Sequence, residues 1–277
     1  MTPTPEGKHQ VDAFTQRFSR TIGIFIVPMP DMGTPSPGTG FLAQFRGKRY
    51  FITALHNFFY DEVDKDRDRV MRLWEATRFL FRDESTLQSV ESQNQAAARA
   101  KSEYGTTLPL PLFDGLLIDA KHDLIAVRMD RAKNEIAHTV SIDLETEGFT
   151  RELTTGLSLL MFGAPLSGQV DVPGAGPTLI PYLDHVRFAS DLDLSGLSHD
   201  SCRPEYFFMP FSLTQDEIEP HGFSGAPVFV NKEPSPGGIW TATPHVVGVA
   251  QLYFRSKKLI RCVKTTAIIE LLKTDQN

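Results

Sequence analysis

From Ile22 onward the chain is a succession of short apolar runs, each cut off by glycine, proline or a charged turn. The first is 22–27. Gly40-Phe-Leu-Ala-Gln-Phe45 and Arg49-Tyr-Phe-Ile-Thr53 flank Arg46-Gly47-Lys48, a pattern that predicts a hairpin with a three-residue loop containing glycine. Further runs fall at 115–118, 124–128, 157–162, 185–188, 206–211, 226–230 and 246–254, with Pro173-Gly-Ala-Gly-Pro177 and Pro234-Ser-Pro-Gly-Gly238 among the breaks. Many short strands with turn signals between them predict an all-β barrel or sandwich. Residues 70–82 suit helix or strand, and the aromatic content of Thr77-Arg-Phe-Leu-Phe81 leans its second half towards strand. Only the end changes character: over 265–273, Ile268, Ile269, Leu271 and Leu272 recur at helical spacing and predict one amphipathic helix.

At 277 residues the chain suits one large domain or two small ones, and its core needs neither disulfide nor metal to hold it. Cys202 and Cys262 are too few for a disulfide framework or a cysteine-rich zinc site, and leave open a single bridge between them. The eight histidines show no H-x-x-x-H or H-E-x-x-H spacing, so no metal or other cofactor is expected. A net charge of −6 argues against nucleic acid or an anionic membrane as partner. No stretch offers eighteen consecutive apolar residues, and the first apolar run lacks the flanks of a signal peptide, which reads as a cytoplasmic chain. Residues 1–18 read as a loosely held arm, and the polar, Ala-rich stretch 88–103 as a solvated helix or mobile insertion.

Three segments carry residue types suited to chemistry, each beside an apolar strand: Phe51-Ile-Thr-Ala-Leu-His56, His122-Asp-Leu-Ile-Ala-Val-Arg128 and Gly222-Phe-Ser-Gly-Ala-Pro-Val-Phe-Val230. Taken singly, each has an ordinary structural meaning. His56 suits any hydrogen-bonded core or surface site, Asp123 a turn or cap, and Ser224 between glycines a tight turn. Together they supply a weak nucleophile, a base to activate it, and a carboxylate to fix the tautomer of the base. A glycine before the serine also lets two backbone N–H groups converge where a tetrahedral oxyanion forms.

The ordered set resembles the trypsin-like (chymotrypsin-fold) serine peptidases. The resemblance rests on these three segments with Gly38-Thr-Gly-Phe-Leu42, Val247-Gly-Val249 and the stretch 156–165, and spans about 20–277. It implies two six-stranded antiparallel β-barrels with a C-terminal α-helix. A flexible arm would occupy 1–18, a first barrel 19–140 with an insertion near 84–112, and a second barrel with the helix 141–277, together one peptidase domain. The implied roles are general base for His56, orienting carboxylate for Asp123, nucleophile for Ser224, and oxyanion donors for Gly222 and Ser224. A protein or peptide would be the substrate, and Gln251 to Tyr253 would pair with its backbone.

Departures from the family pattern matter. Phe223 stands where secreted members carry the acidic residue that pairs with a cleaved N-terminus, and Asn57 where they carry a bridging cysteine. The chain thus looks like bacterial or intracellular members, and lacking that activation route it calls for restraint by a regulatory protein partner or narrow specificity. Leu55 and Ala226 also replace smaller residues, and the 67 residues from His56 to Asp123 are a long gap for the fold. At the base-of-pocket position Ile218 is apolar, favouring an apolar or small side chain at the cleavage site, although Asp216 and Glu217 lie nearby. Two rivals remain. An α/β-hydrolase needs the order Ser, Asp, His, and only His245 follows Ser224. A trypsin-fold chain can also serve as a non-catalytic or conditionally active binding module.

Overall fold

The computed structural model describes residues 21–27, 36–58, 67–81, 108–109, 115–130, 139–164, 169–172, 176–179, 182–211, 220–231 and 245–275. The expected arm at 1–18 and nearly all of the insertion near 84–112 lie outside them. The first sheet pairs in the order Leu108–Pro109 (β5), Arg78–Phe81 (β4), Ile22–Val27 (β1), Ser36–Phe45 (β2), Lys48–Ala54 (β3), Leu124–Arg128 (β7) and Gly115–Asp119 (β6). Ile142–Asp143 (β8) adds to β2. Since β5 and β8 are two residues each, six strands carry this sheet. The second sheet also has six, in the order Tyr182–Arg187 (β12), Ser158–Gly163 (β9), Pro227–Asn231 (β14), His245–Phe254 (β15), Leu259–Lys264 (β16) and Tyr206–Pro210 (β13). Gln169–Val172 (β10) and Gly176–Leu179 (β11) form a separate hairpin. Among the described strands every pairing is antiparallel except the short one of β8 on β2, and an isolated parallel bridge joins Gly148 to Val246.

Strand alternation explains why so many runs are apolar on both faces. In β2, Phe41, Ala43 and Phe45 point to the interface between the sheets while Leu42 points into the first sheet's own core. In β7, Leu124 and Ala126 take the first side, Ile125 and Val127 the second. The second sheet divides likewise, Leu160 and Phe229 facing the shared interface and Leu159, Met161, Val228 and Val230 its own core. The C-terminal helix Thr265–Lys273 buries Ile268, Leu271 and Leu272 in that shared cluster, with Ile269 at its margin. Each such fully buried side chain contributes roughly 1.5–3 kcal/mol.

One sequence expectation needs correction, and one left open is resolved. The loop between β2 and β3 has two residues, because Phe45 pairs with Lys48. Arg46 and Gly47 have φ of 50° and 76°, and a two-residue loop with both φ positive matches the natural strand twist. The ambiguous stretch from Val70 also divides. Arg67–Ala76 is a helix, with Val70, Leu73 and Trp74 buried at helical spacing and the Trp74 ring 5.3 Å from Phe58, before β4 begins at Arg78. Cys202 and Cys262 are both free, the first exposed and the second buried in the second sheet's core. No described helix is long and apolar enough to cross a membrane.

After the C-terminal helix, Asp275 fastens the second half of the chain to the first. Its carboxylate accepts from the Tyr50 hydroxyl at 2.8 Å and lies 3.4 Å from both Lys48 Nζ and Arg128 Nη1. Burial alone would raise its pKa. The Tyr50 hydrogen bond and the Lys48 and Arg128 charges outweigh burial and hold the carboxyl below its ordinary value. A carboxyl depressed in the folded state stabilises above its unfolded pKa and loses that contribution as pH falls through the folded value. Asp275→Asn is therefore expected to unfold at lower urea than wild type at pH 7, the gap closing as pH falls from about 4. An equal gap at neutral and acid pH would remove the carboxylate from this clamp.

Candidate active site

His56 and Asp123 meet because β3 and β7 pair with Ala54 opposite Leu124. One step beyond that pair, Leu55 N–H donates to Asp123 O at 3.0 Å. The chain leaves β3 in a 3₁₀ turn, Leu55–Phe58, that carries His56 over the Asp123 carboxylate. One carboxylate oxygen accepts from His56 N–H at 2.9 Å and the other sits 2.6 Å from His56 Nδ1. With a carboxylate as acceptor, the bonded ring carries a proton on Nδ1, and in its neutral form it presents a lone pair at Nε2. Asp123 reaches this pose with φ of 54°, in the left-handed region that aspartate enters more readily than most residues.

Ser224 sits in a turn between Gly222 and Gly225, at φ of 99° and 91°. Residues from the first sheet hold this turn. Ser224 O accepts from Thr39 N–H at 3.2 Å and from Asn57 Nδ2 at 3.0 Å. Asn57 also donates to Thr53 Oγ1, so the residue next to His56 ties the histidine turn to the serine turn. Thr39 Oγ1 donates to Gly222 O at 2.6 Å and accepts from Ala164 N–H, and Thr39 O accepts from Thr53 Oγ1. Below the turn Phe223 is buried, its ring 5.7 Å from Phe211, so the anchor here is apolar.

The structure thus brings His56 and Asp123 into direct contact, and places Ser224 with His56 in the lining of one cavity of about 390 Å³. Among the described residues, the serine hydroxyl makes no hydrogen bond to the imidazole. Its Oγ donates to Gln251 O at 3.0 Å. Among the described residues, neither the Gly222 nor the Ser224 N–H donates to a backbone acceptor. His221, Leu252 and Tyr253 line the same cavity, whose exposed surface is mainly apolar. Ile218 lies outside the described residues.

Sequence reasoning missed what Thr39, Asn57 and the Gln251 side chain do here. The available signal was their polarity within otherwise apolar segments, since buried polar groups must find partners.

No family model matches the chain, and no curated protein matches it. Solved structures do share its fold. The chain is similar to protease Anisep from Arthrobacter nicotinovorans at 14% identity and a TM-score of 0.53, over 93% of this chain and 96% of that one. It is similar to the serine endoprotease from Yersinia pestis at 13% identity and 0.52, over 99% and 67%. It is also similar to a scabies mite inactivated protease paralogue at 12% identity and 0.51, over 94% and 97%. The chain shares the chymotrypsin-like fold of these neighbours.

Proposed function

We propose that this chymotrypsin-like chain is a serine endopeptidase. In this reading His56 is the general base, Asp123 its orienting carboxylate and Ser224 the nucleophile, with the Gly222 and Ser224 N–H groups receiving the oxyanion. The observation that carries the reading is the two-point grip of Asp123 on His56 at the mouth of the cavity that Ser224 lines. Turnover begins when the Ser224 hydroxyl swings from Gln251 O to His56 Nε2. Nε2 takes the hydroxyl proton as Oγ bonds to the substrate carbonyl carbon. The C–N bond then breaks, the leaving amine takes that proton from Nε2, and an acyl-enzyme remains. Water, deprotonated by Nε2, attacks the ester, and Ser224 recovers its proton. Fold-level neighbours with protease names support a protein or peptide substrate, and the apolar lining supports an apolar side chain at the cleavage site. A cytoplasmic setting, a regulatory protein partner and one peptidase domain built from 19–140 and 141–277 belong to the same reading.

One observation favours a second reading, a binding module that is inactive or conditionally active: the serine hydroxyl rests on Gln251 O. A fluorophosphonate probe separates the two. The expected result is a single adduct on intact wild-type protein, absent from Ser224→Ala and from His56→Ala. Folded wild-type protein that takes no adduct would favour the binding module.

A further inference from the structure

Gln251 occupies an irregular position. In β15, Ala250 pairs with Cys262 and Leu252 with Arg261, so Gln251 is the extra residue of a β-bulge. A bulge releases its residue from strict alternation and re-aims the side chain. Here the side chain crosses to the first sheet's Asp123 turn, and Gln251 is only 3% exposed.

Every polar atom of that amide has a partner. Gln251 Nε2 donates to His122 O and, at 3.0 Å, to Asp123 O. Its Oε1 accepts from Arg261 Nη2 at 3.4 Å. The Arg261 guanidinium lies 4.4 Å over the Tyr206 ring, and the Tyr206 hydroxyl donates to Lys121 O at 3.1 Å. Three successive carbonyls, of Lys121, His122 and Asp123, are thus held by second-sheet side chains. The last belongs to the residue whose left-handed backbone aims both carboxylate oxygens at His56. Gln251 O meanwhile holds the Ser224 hydroxyl, so one residue touches both turns of the site.

We propose that the Gln251 side chain is a positioning residue, a bracket from the second sheet that fixes the Asp123 turn and through it the orientation of His56. This rests on the peptidase reading above. The side chain acts through the turn, without touching the reacting atoms. Releasing the two carbonyls lets the Asp123 backbone rotate, and a carboxylate misplaced by about 1 Å costs up to on the order of 10² in rate.

The test compares wild type with Gln251→Met, which keeps the volume and removes the donors, and with Gln251→Asn, whose shorter amide cannot span both carbonyls. Two readouts are taken: the separate kcat and KM for a peptide substrate, and amide exchange at Leu55 and His56, whose N–H groups donate to Asp123. The expected result is a 10- to 100-fold fall in kcat with KM nearly unchanged, and exchange at those two amides accelerated tenfold or more. An active wild type with folded variants of unchanged kcat overturns the bracket and leaves the peptidase reading standing. An inert wild type with faster exchange confined to Leu55 and His56 overturns the peptidase reading and upholds the bracket. Loss of the folded state in both variants makes Gln251 a core residue and overturns the proposal.

Discussion

Ser224→Ala is expected to lower kcat by on the order of 10⁶ while lowering the thermal transition by no more than about 2–4 °C. The two halves of that expectation have separate causes. The hydroxyl makes one hydrogen bond, to Gln251 O at 3.0 Å, on a partly exposed side chain, and one such bond contributes about 1 kcal/mol. The backbone of the turn is held by Thr39 and Asn57 through Ser224 O, which the substitution leaves in place. In the peptidase reading, by contrast, the chemistry loses its nucleophile. His56→Ala should be comparably damaging, and Asp123→Asn should cost about 10⁴, since an amide can leave the imidazole in the wrong tautomer. Single-turnover kinetics beside calorimetry on each variant would check this. A Ser224→Ala protein within tenfold of wild-type turnover would sink the assignment of Ser224.

The architecture was legible because both faces of the central strands are buried. Phe41 beside Leu42 and Leu124 beside Ile125 serve opposite cores, so whole runs become apolar and stand out against the turns. The helix from Arg67 was less legible: its buried stripe of Val70, Leu73 and Trp74 runs into an aromatic strand with only Thr77 between. The hairpin loop turned on whether Arg46 would accept a positive φ, which twist-matching of the strands decides and composition does not.

At the site, His56, Asp123 and Ser224 could be picked out because nucleophilic chemistry demands those residue types. Their supports could not. Thr39 bonds to Gly222, and Gln251 to His122 and Asp123, across the boundary between the sheets. Which carbonyl faces a threonine or a glutamine there depends on the packing of two sheets, and no local pattern encodes it. Phe223 is the exception in kind. Its apolar character in the serine loop already excluded the ion pair of secreted members, and the structure packs its ring on Phe211.

Gly225→Ala is expected to destabilise the protein by about 2–5 kcal/mol, from about 1–2 for an L-residue in a left-handed conformation and about 1–3 for overpacking. The backbone there has φ of 91°, and an added Cβ would fall 1.9 Å from Thr39 O and 2.1 Å from Thr53 Oγ1. Neither atom can give way cheaply. Thr39 O is backbone and accepts from that same Thr53 hydroxyl, while Thr39 N–H and Oγ1 hold Ser224 O and Gly222 O. Any displacement that makes room for the methyl therefore moves the serine turn as well, and labelling of Ser224 should fall by more than the unfolded fraction explains. Gly156 supplies the comparison. Its φ of 93° is nearly the same, but nothing lies within 4 Å of its added Cβ, so Gly156→Ala should show only the conformational cost of about 1–2 kcal/mol. Thermal scans of the two variants side by side isolate the steric part. With roughly 2–4 °C lost per kcal/mol in a large domain, the Gly225 variant should melt several degrees below the Gly156 one. Coincident transitions would mean that Thr39 and Thr53 yield freely, and that the serine turn is not locked against the first sheet.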